Sequence, residues 1–163
     1  MKQLLAAAAF TLTALSAVAQ AWPEKPVTMV VPFPPGGSTD QVARAVAPIL
    51  TEKFKQSFLV DNKAGATGTI GATFVKRAPA DGYTLIGGTI STHAINAGLY
   101  KKLPYDPIKD FEPVTLIAYV PNVLMVNADL GVNTVQELVA WIKKNPEKAS
   151  YASSGAGTST HLT

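Results

Sequence analysis

Backbone amides, hydroxyls and glycines, rather than charged side chains, are the groups in this sequence best placed to do chemistry. In Val27–Thr39 (VTMVVPFPPGGST) an apolar run meets a Pro-Pro-Gly-Gly turn, and Ser38-Thr39-Asp40 then opens an amphipathic stretch. The spacing predicts a strand, a tight turn and a helix start. The first amides of a helix have no partner inside it, and the helix dipole adds partial positive charge there. Glycine lets another molecule approach that backbone closely. The chemistry implied is recognition of an anion without lysine or arginine. A second segment of the same grammar is Ala149–Ser159, ASYASSGAGTS. Two such loops suit a cleft for a small carboxylate.

Each loop also has a plainer reading, as a tight connection ahead of a capped helix, and GAGTS is the weaker signal of the two. The elements around them supply the rest of the argument. Strand-like runs occur at Val27–Pro32, Phe58–Asn62, Tyr83–Gly88, Val114–Val120, Asn122–Asn127 and Ala149–Ala152. Helical patterns lie between several of them, which favours a parallel sheet covered by helices. The first helix is expected from about Thr39 to Lys55, with Ser38 as its cap and Gln41 three residues on. Its buried stripe would be Val42, Val46, Ile49, Leu50 and Phe54, with Pro48 kinking the helix or ending it early. A shorter helix is expected over Thr69–Arg77, stopping at Pro79. Another begins at Thr134, with Glu137 completing a capping box and Val135, Leu138, Val139 and Ile142 as its apolar stripe. Asn145-Pro146 ends it.

Tyr100–Pro113 (YKKLPYDPIKDFEP) reads as an irregular connector, and a lobe boundary is expected near Tyr119–Asn122, where Pro121 interrupts two apolar runs. The cleft would then lie between Gly36-Gly37-Ser38 and Ser153-Ser154-Gly155. At the N-terminus, Met1-Lys2 followed by the Ala-rich run Leu4–Ala21 has the form of a secretory signal, with small-residue sites for cleavage near Ala19 or Ala21. A membrane anchor is the alternative; abundant Ala and Thr argue against it. Residues 22–163 are enough for a domain with a real core.

Composition narrows the function classes. Hydrophobic residues make up 47% and charged residues 15%, as in a folded α/β chain. The net charge is +3, and one of its lysines is Lys2, so the remaining surplus is too small and dispersed to argue for nucleic acid. With no cysteine in the chain, disulfides, thiolate catalysis and Cys-based metal sites are impossible. His93 and His161 have no ligand-like partner at i+4, so no metal site is expected. Lys63, Lys101 and Lys102 read as solvated surface. Gly65, Gly68 and Gly71 form G-x-x-G-x-x-G, which departs from the dinucleotide fingerprint, and no Gly-Lys pair supports a P-loop. Ser38 and Ser154 lack the glycines of a nucleophile elbow.

The runs WPEKPVTMVVPFPPGGSTD, VDNKAGATGTIGA, ADGYTLIGG, THAINAGLYKKLPYDPIKDFEPVTLIAYVPNVLMVN and YASSGAGTSTHL, in this order, resemble the Bug family. These TctC-like proteins are the substrate-binding receptors of tripartite tricarboxylate transporters. The resemblance covers essentially all of residues 22–163. It implies an α/β type II periplasmic binding protein, two-lobed and Venus-flytrap-like, that captures a small organic acid and hands it to a membrane permease without chemistry on it. Di- and tricarboxylates, amino acids and aromatic acids are the implied ligand classes; no cofactor is implied. The implied location is the periplasm, after signal cleavage.

The same resemblance implies a set of site residues. Phe33–Asp40 is similar to the first-lobe loop that holds one carboxylate, with Phe33 in it and Gly36, Gly37, Ser38 and Thr39 as donors. Ser153–Ser159 is similar to its second-lobe counterpart, with Ser153, Ser154, Gly157, Thr158 and Ser159 near the ligand. Ser91–Asn96 resembles a further lining segment, with Thr92, His93 and Asn96 as candidates. Asp40 reads as a first-turn carboxylate that orders the loop, because a bare anion facing the ligand would repel it. Relatives of this family continue well past the YASSGAGTSTHL motif. The expectation is therefore a fragment with impaired binding: residues 1–21 a signal peptide, 22–121 a partial first lobe, and 122–163 the start of an incomplete second lobe. Two other function classes stay open: an exported α/β interaction domain without small-molecule binding, and, more weakly supported, an unrecognised hydrolase.

Overall fold

The computed structural model describes residues 22–163. The expected signal peptide falls outside the described residues. Three parallel strands form the only sheet found among those described: β1 (Val27–Val31), β2 (Phe58–Asn62) and β3 (Thr84–Ile86), in the order β2-β1-β3. β1 is central and rich in β-branched residues. Val27, Val30 and Val31 are fully buried, as expected for a strand covered on both faces. The register runs from Val27 opposite Phe58 to Val31 opposite Asn62, and from Thr28 opposite Thr84 to Val30 opposite Ile86. β3 is shorter than the expected Tyr83–Gly88. Its flanks still bond, Thr28 N–H to the Tyr83 carbonyl and Gly87 N–H to the Val30 carbonyl, each at 2.8 Å.

Helix α1 (Ser38–Phe54) joins β1 to β2, and α2 (Thr69–Arg77) joins β2 to β3. One face of the sheet packs Val27, Met29, Val31 and Phe58 against Ala43 and Ala47 of α1, with Leu50 and Phe54 at the margin. Alternate β1 residues face the other side, where α2 lies against β1 and β3. This is the arrangement that right-handed crossovers produce. Trp22 closes the bottom of the core, with its ring edge-on to Phe54 at 5.6 Å and to Phe58 at 6.4 Å.

Two expectations for α1 need correction. The helix does not end early at Pro48 but runs on to Phe54, and Lys55 in the left-handed region closes it. Pro48 lies on the exposed face, where the carbonyl it leaves without a partner can meet water. The buried stripe is centred on Ala43 and Ala47, which allow close approach to the sheet, and Ile49 is 64% exposed.

Beyond β3 the chain makes one wide turn (Ser91–Ile95) that continues as the short helix α3 (Asn96–Leu99). Irregular turns follow, as expected for Tyr100–Pro113. The strand-like runs Val114–Val120, Asn122–Asn127 and Ala149–Ala152 are not strands in this structure. A strand exists only through its ladder, and these runs find no pairing partner among the described residues. Helix α4 (Val135–Lys144) forms as expected with Thr134 as its cap: Thr134 Oγ1 accepts from Glu137 N–H at 3.2 Å, while Glu137 Oε2 accepts at 2.7 Å from the N–H of Asn133, one residue ahead of the cap it was expected to bond. No residue of α4 is buried, so its apolar stripe stands uncovered. The chain closes with the single-turn helix α5 (Ser159–Leu162). No helix among the described residues is long and apolar enough to cross a membrane.

Candidate functional site

The loops that follow β1, β2 and β3 all leave the same edge of the sheet, the carboxyl end of its parallel strands. Ligands of open α/β sheets bind outside this edge. The first loop ends at α1, whose first internal amide bond runs from Gln41 to the Gly37 carbonyl at 2.9 Å. The amides of Ser38, Thr39 and Asp40 therefore stand ahead of the helix's own ladder. Gly37 and Ser38 are exposed and Thr39 is half-buried.

Asp40 organises this loop. Its Oδ2 accepts from Gly36 N–H at 2.8 Å, and both carboxylate oxygens accept from Arg44 Nε at 3.0 Å. Asn62 Nδ2, at the end of β2, donates to Asp40 Oδ1 at 2.9 Å, and Arg44 Nη2 donates to Asn62 Oδ1 at 2.9 Å. The Arg44 guanidinium, then the Gly36 amide and the Asn62 side chain, hold the Asp40 carboxyl down at about 2. Two details depart from the sequence reading. Ser38 makes no side-chain cap; Gly37 is the capping residue and Asp40 reaches back to the loop in its place. The Gly36 amide, expected to serve a ligand, is occupied by Asp40, so Gly36 shapes the turn (φ +85°), while the amides of Gly37, Ser38 and Thr39 lie ahead of the helix ladder that begins at Gln41.

The turn after β2, whose G-x-x-G-x-x-G departs from the dinucleotide fingerprint, packs among the loops at this edge of the sheet. Gly65, Ala66, Thr67 and Gly68 all have positive φ. A Cβ on Gly68 would stand 2.5 Å from Thr92 Cγ2 and 3.3 Å from Pro32 Cβ, so this turn packs between the root of the first loop and the Ser91–Asn96 segment. Within that segment Thr92 is fully buried, with its Oγ1 2.8 Å from His93 Nδ1. His93 sets its ring edge-on to Phe111 at 4.9 Å, and burial lowers its pKa, so the neutral imidazole is favoured. Asn96 is also fully buried. Its Nδ2 donates to the Thr67 carbonyl at 3.0 Å and to Tyr105 Oη at 3.2 Å, while Tyr105 Oη donates to the Thr92 carbonyl at 2.7 Å. That places Asn96 inside the scaffold, bracing the loops from behind.

The second glycine loop is seated on these elements. Thr67 Oγ1 donates to the Ala156 carbonyl at 2.9 Å, and Ser159 N–H meets Ser91 Oγ at 3.4 Å. Gly157 (φ +82°) lies on Leu99, where a Cβ would collide with Leu99 Cδ2. Thr158 is buried and donates to the Gly155 carbonyl at 2.7 Å. Ser153 Oγ accepts from Gly155 N–H at 3.3 Å and Ser154 Oγ from Thr160 Oγ1 at 3.2 Å, which leaves both serines exposed within the loop's own turn. The two glycine loops thus share one end of the molecule, linked through Gly68, Thr67, Thr92 and Ser91. A surface hollow of about 710 Å³ beside α2, lined by Ile70, Phe74, Arg77 and Pro104 among others, contains none of the expected site residues. Arg44, Asn62 and Thr67 were missed by the sequence reading, and Ser91 lies in the expected lining segment Ser91–Asn96 without having been singled out. Only Arg44 carried a usable signal, its i+4 spacing from Asp40.

Known proteins share this fold. The family model described as tripartite tricarboxylate transporter family receptor matches residues 42–163. The protein BugT of Bordetella pertussis is 38% identical over 88% of this chain and 44% of its own length. Among solved structures, Rpa4515 of R. palustris with adipate is 45% identical, with a TM-score of 0.81 over 86% of this chain and 47% of that one. MatC from Rhodopseudomonas palustris with bound malate is 37% identical, with a TM-score of 0.71 over 76% of this chain and 42% of that one. The chain spans about half the length of the relatives it matches. Its α/β fold is that of the periplasmic binding proteins. The chain belongs to the tripartite tricarboxylate transporter receptor family.

Proposed function

We propose that this chain is the carboxylate-capturing part of a periplasmic receptor that delivers a small organic acid to tripartite membrane permease subunits. The observation that carries this reading is the pair of glycine loops at one edge of the sheet, with the amides of Gly37, Ser38 and Thr39 ahead of the hydrogen-bond ladder of α1 in an exposed to half-buried turn. Relatives of the same fold hold adipate and malate, both dicarboxylates. Phe33 forms the wall beside Gly68; Ser153, Ser154, Gly157, Thr158 and Ser159 form the opposing loop, and Thr92, His93 and Asn96 support the floor. No cofactor enters, and the ligand leaves unchanged.

Neutral donors grip an anion lightly. Each exposed helix-end interaction contributes about 0.3–1 kcal/mol, so several must converge for useful affinity. Asp40 would oppose a bound acid were its charge not paired with Arg44 at 3.0 Å. In this reading residues 22–121 form the first lobe and 122–163 begin the second. The relatives are about twice as long, so the affinity of this chain by itself is expected to be weak.

The test is an amide NMR titration with adipate and with malate at millimolar concentrations. The Gly37, Ser38 and Thr39 resonances, together with those of Gly155 and Gly157, are expected to shift in a saturable way. An interaction domain without a small-molecule site would leave them still. A hydrolase would instead consume an added ester or amide of the acid, which a separate one-dimensional proton spectrum of that compound with the chain would reveal.

A further inference from the structure

We propose that Thr67 is a positioning residue of the carboxylate cleft, whose hydroxyl holds the second glycine loop in its place opposite the first. This rests on the functional reading above. The residue is conformationally out of the ordinary: Thr67 has φ +56° and Ala66 φ +45°. A β-branched residue with positive φ is a genuine outlier, and glycine or asparagine would occupy the position with less strain. What threonine adds is an oxygen. Its Oγ1 donates to the Ala156 carbonyl at 2.9 Å, across 89 residues of sequence, and lies 3.2 Å from Tyr100 Oη.

The turn that presents this hydroxyl is held from within. The buried Asn96 grips the Thr67 carbonyl at 3.0 Å, and Gly65 and Gly68 bracket the turn with positive φ of their own. On the far side the receiving loop is shaped to fit: Gly157, with φ +82°, lies against the Leu99 side chain, and Ser159 N–H approaches Ser91 Oγ. Thr67 thus links two loops. Its turn packs on Pro32 and Phe33 at the root of the first, and its hydroxyl bonds the backbone of the second. Losing the hydroxyl frees the second loop without touching the Gly37, Ser38 or Thr39 amides of the first.

The experiment is hydrogen exchange on the ligand-free chain with Thr67→Val, Thr67→Gly and Thr67→Ser. Valine keeps the shape, glycine removes both strain and hydroxyl, and serine restores the hydroxyl. Peptides covering Ser153–His161 are expected to exchange roughly three- to tenfold faster in the Val and Gly variants and near the parent rate in the Ser variant. Peptides covering Val27–Val31 are expected to stay protected. Unchanged exchange of Ser153–His161 in Thr67→Gly overturns the proposal, as does equal loosening in Thr67→Ser. Should Thr67→Val also lose protection in the sheet, the Gly and Ser variants decide. Titration with adipate and malate then separates the two readings. A parent chain blind to both acids rejects the receptor function, while the exchange result still decides the tether. A responsive parent should lose affinity by a similar factor in Thr67→Val and recover it in Thr67→Ser.

Discussion

Asn62 Nδ2 donates to Asp40 Oδ1 at 2.9 Å and to the Phe33 carbonyl at 3.2 Å, so the last residue of β2 holds both ends of the first glycine loop. The sheet register carries Asn62 to this position opposite Val31, where β1 stops and the loop begins. Asn62→Leu keeps the volume and removes the bonds. Stability should fall by about 1–2 kcal/mol, because the Phe33 carbonyl loses its donor and a charged acceptor loses a neighbour. Chemical denaturation measures the loss, and amide resonances of Gly36–Thr39 should broaden or move. A variant as stable as its parent, with those resonances unmoved, would show that the loop orders itself without β2.

The Asp40 carboxyl, held at about 2 against an ordinary 3.8, makes part of the fold's stability depend on pH. Its folded pKa lies below its unfolded one, so the contribution is complete above 3.8 and is lost as pH falls toward about 2. Asp81 and Asp106 are lowered as well, chiefly by backbone amides, and Asp110 chiefly by Lys76, so the whole protein should weaken over the acid range. The part due to Asp40 is isolated by comparison with Asp40→Asn. The stability gap between the two should be widest near neutral pH and should close through that window. A gap that stays constant with pH would mean that the Asp40 charge contributes nothing to the fold.

Gly71 and Gly98 make a matched pair. A Cβ at Gly71 would stand 2.9 Å from Pro32 Cα and 3.0 Å from the Lys63 carbonyl, both backbone atoms, whereas at Gly98 nothing lies within 4 Å. Gly71→Ala should therefore push α2 off the root of the first loop and destabilise by about 1–3 kcal/mol. Gly98→Ala, on the exposed face of α3, should be neutral or stabilise by up to about 1 kcal/mol. Thermal unfolding of the two variants side by side checks the sign. A Gly71→Ala protein as stable as Gly98→Ala would mean that the contact of α2 with Pro32 is loose.

The legible parts of this molecule are those decided locally or by a simple period. β1, β2, α2 and the Thr134 cap of α4 follow from β-branched runs, helical spacing and a capping box, and they stand where the pattern puts them. Fold class followed from strands alternating with helices. The centre of the buried face of α1 was misjudged because hydrophobicity pointed to Ile49, while close packing on the sheet selected Ala43 and Ala47. The site was half legible. Glycines and hydroxyls marked the loops, but whether the Gly36 amide faces outward or bonds to Asp40 depends on a side chain four residues on. Thr67 and Asn62 were illegible for a different reason: their partners, Ala156 and Asp40, are brought to them only by the tertiary fold.

The runs that read as strands but stand unpaired make the last prediction. Val114, Leu116, Tyr119, Val123 and Met125 are each more than 70% exposed, an apolar content that an isolated surface rarely tolerates. With Ile117, Val120, Leu124 and Val126 alongside, the runs are nearly continuous in apolar residues, as in a strand buried on both faces, and the unused backbone groups beside them invite pairing with another chain. The relatives, about twice as long, have further sequence available to cover such runs. In solution this chain should bind a hydrophobic dye such as anilinonaphthalene sulfonate and self-associate as its concentration rises. The double variant Leu116→Lys, Met125→Lys should reduce both. It should leave the unfolding transition of the sheet and α1 in place, because neither residue belongs to the core around Val27, Met29 and Val31. Analytical ultracentrifugation across a concentration series decides the matter: a parent chain that stays monomeric and dye-silent would mean that these runs find cover within the chain itself.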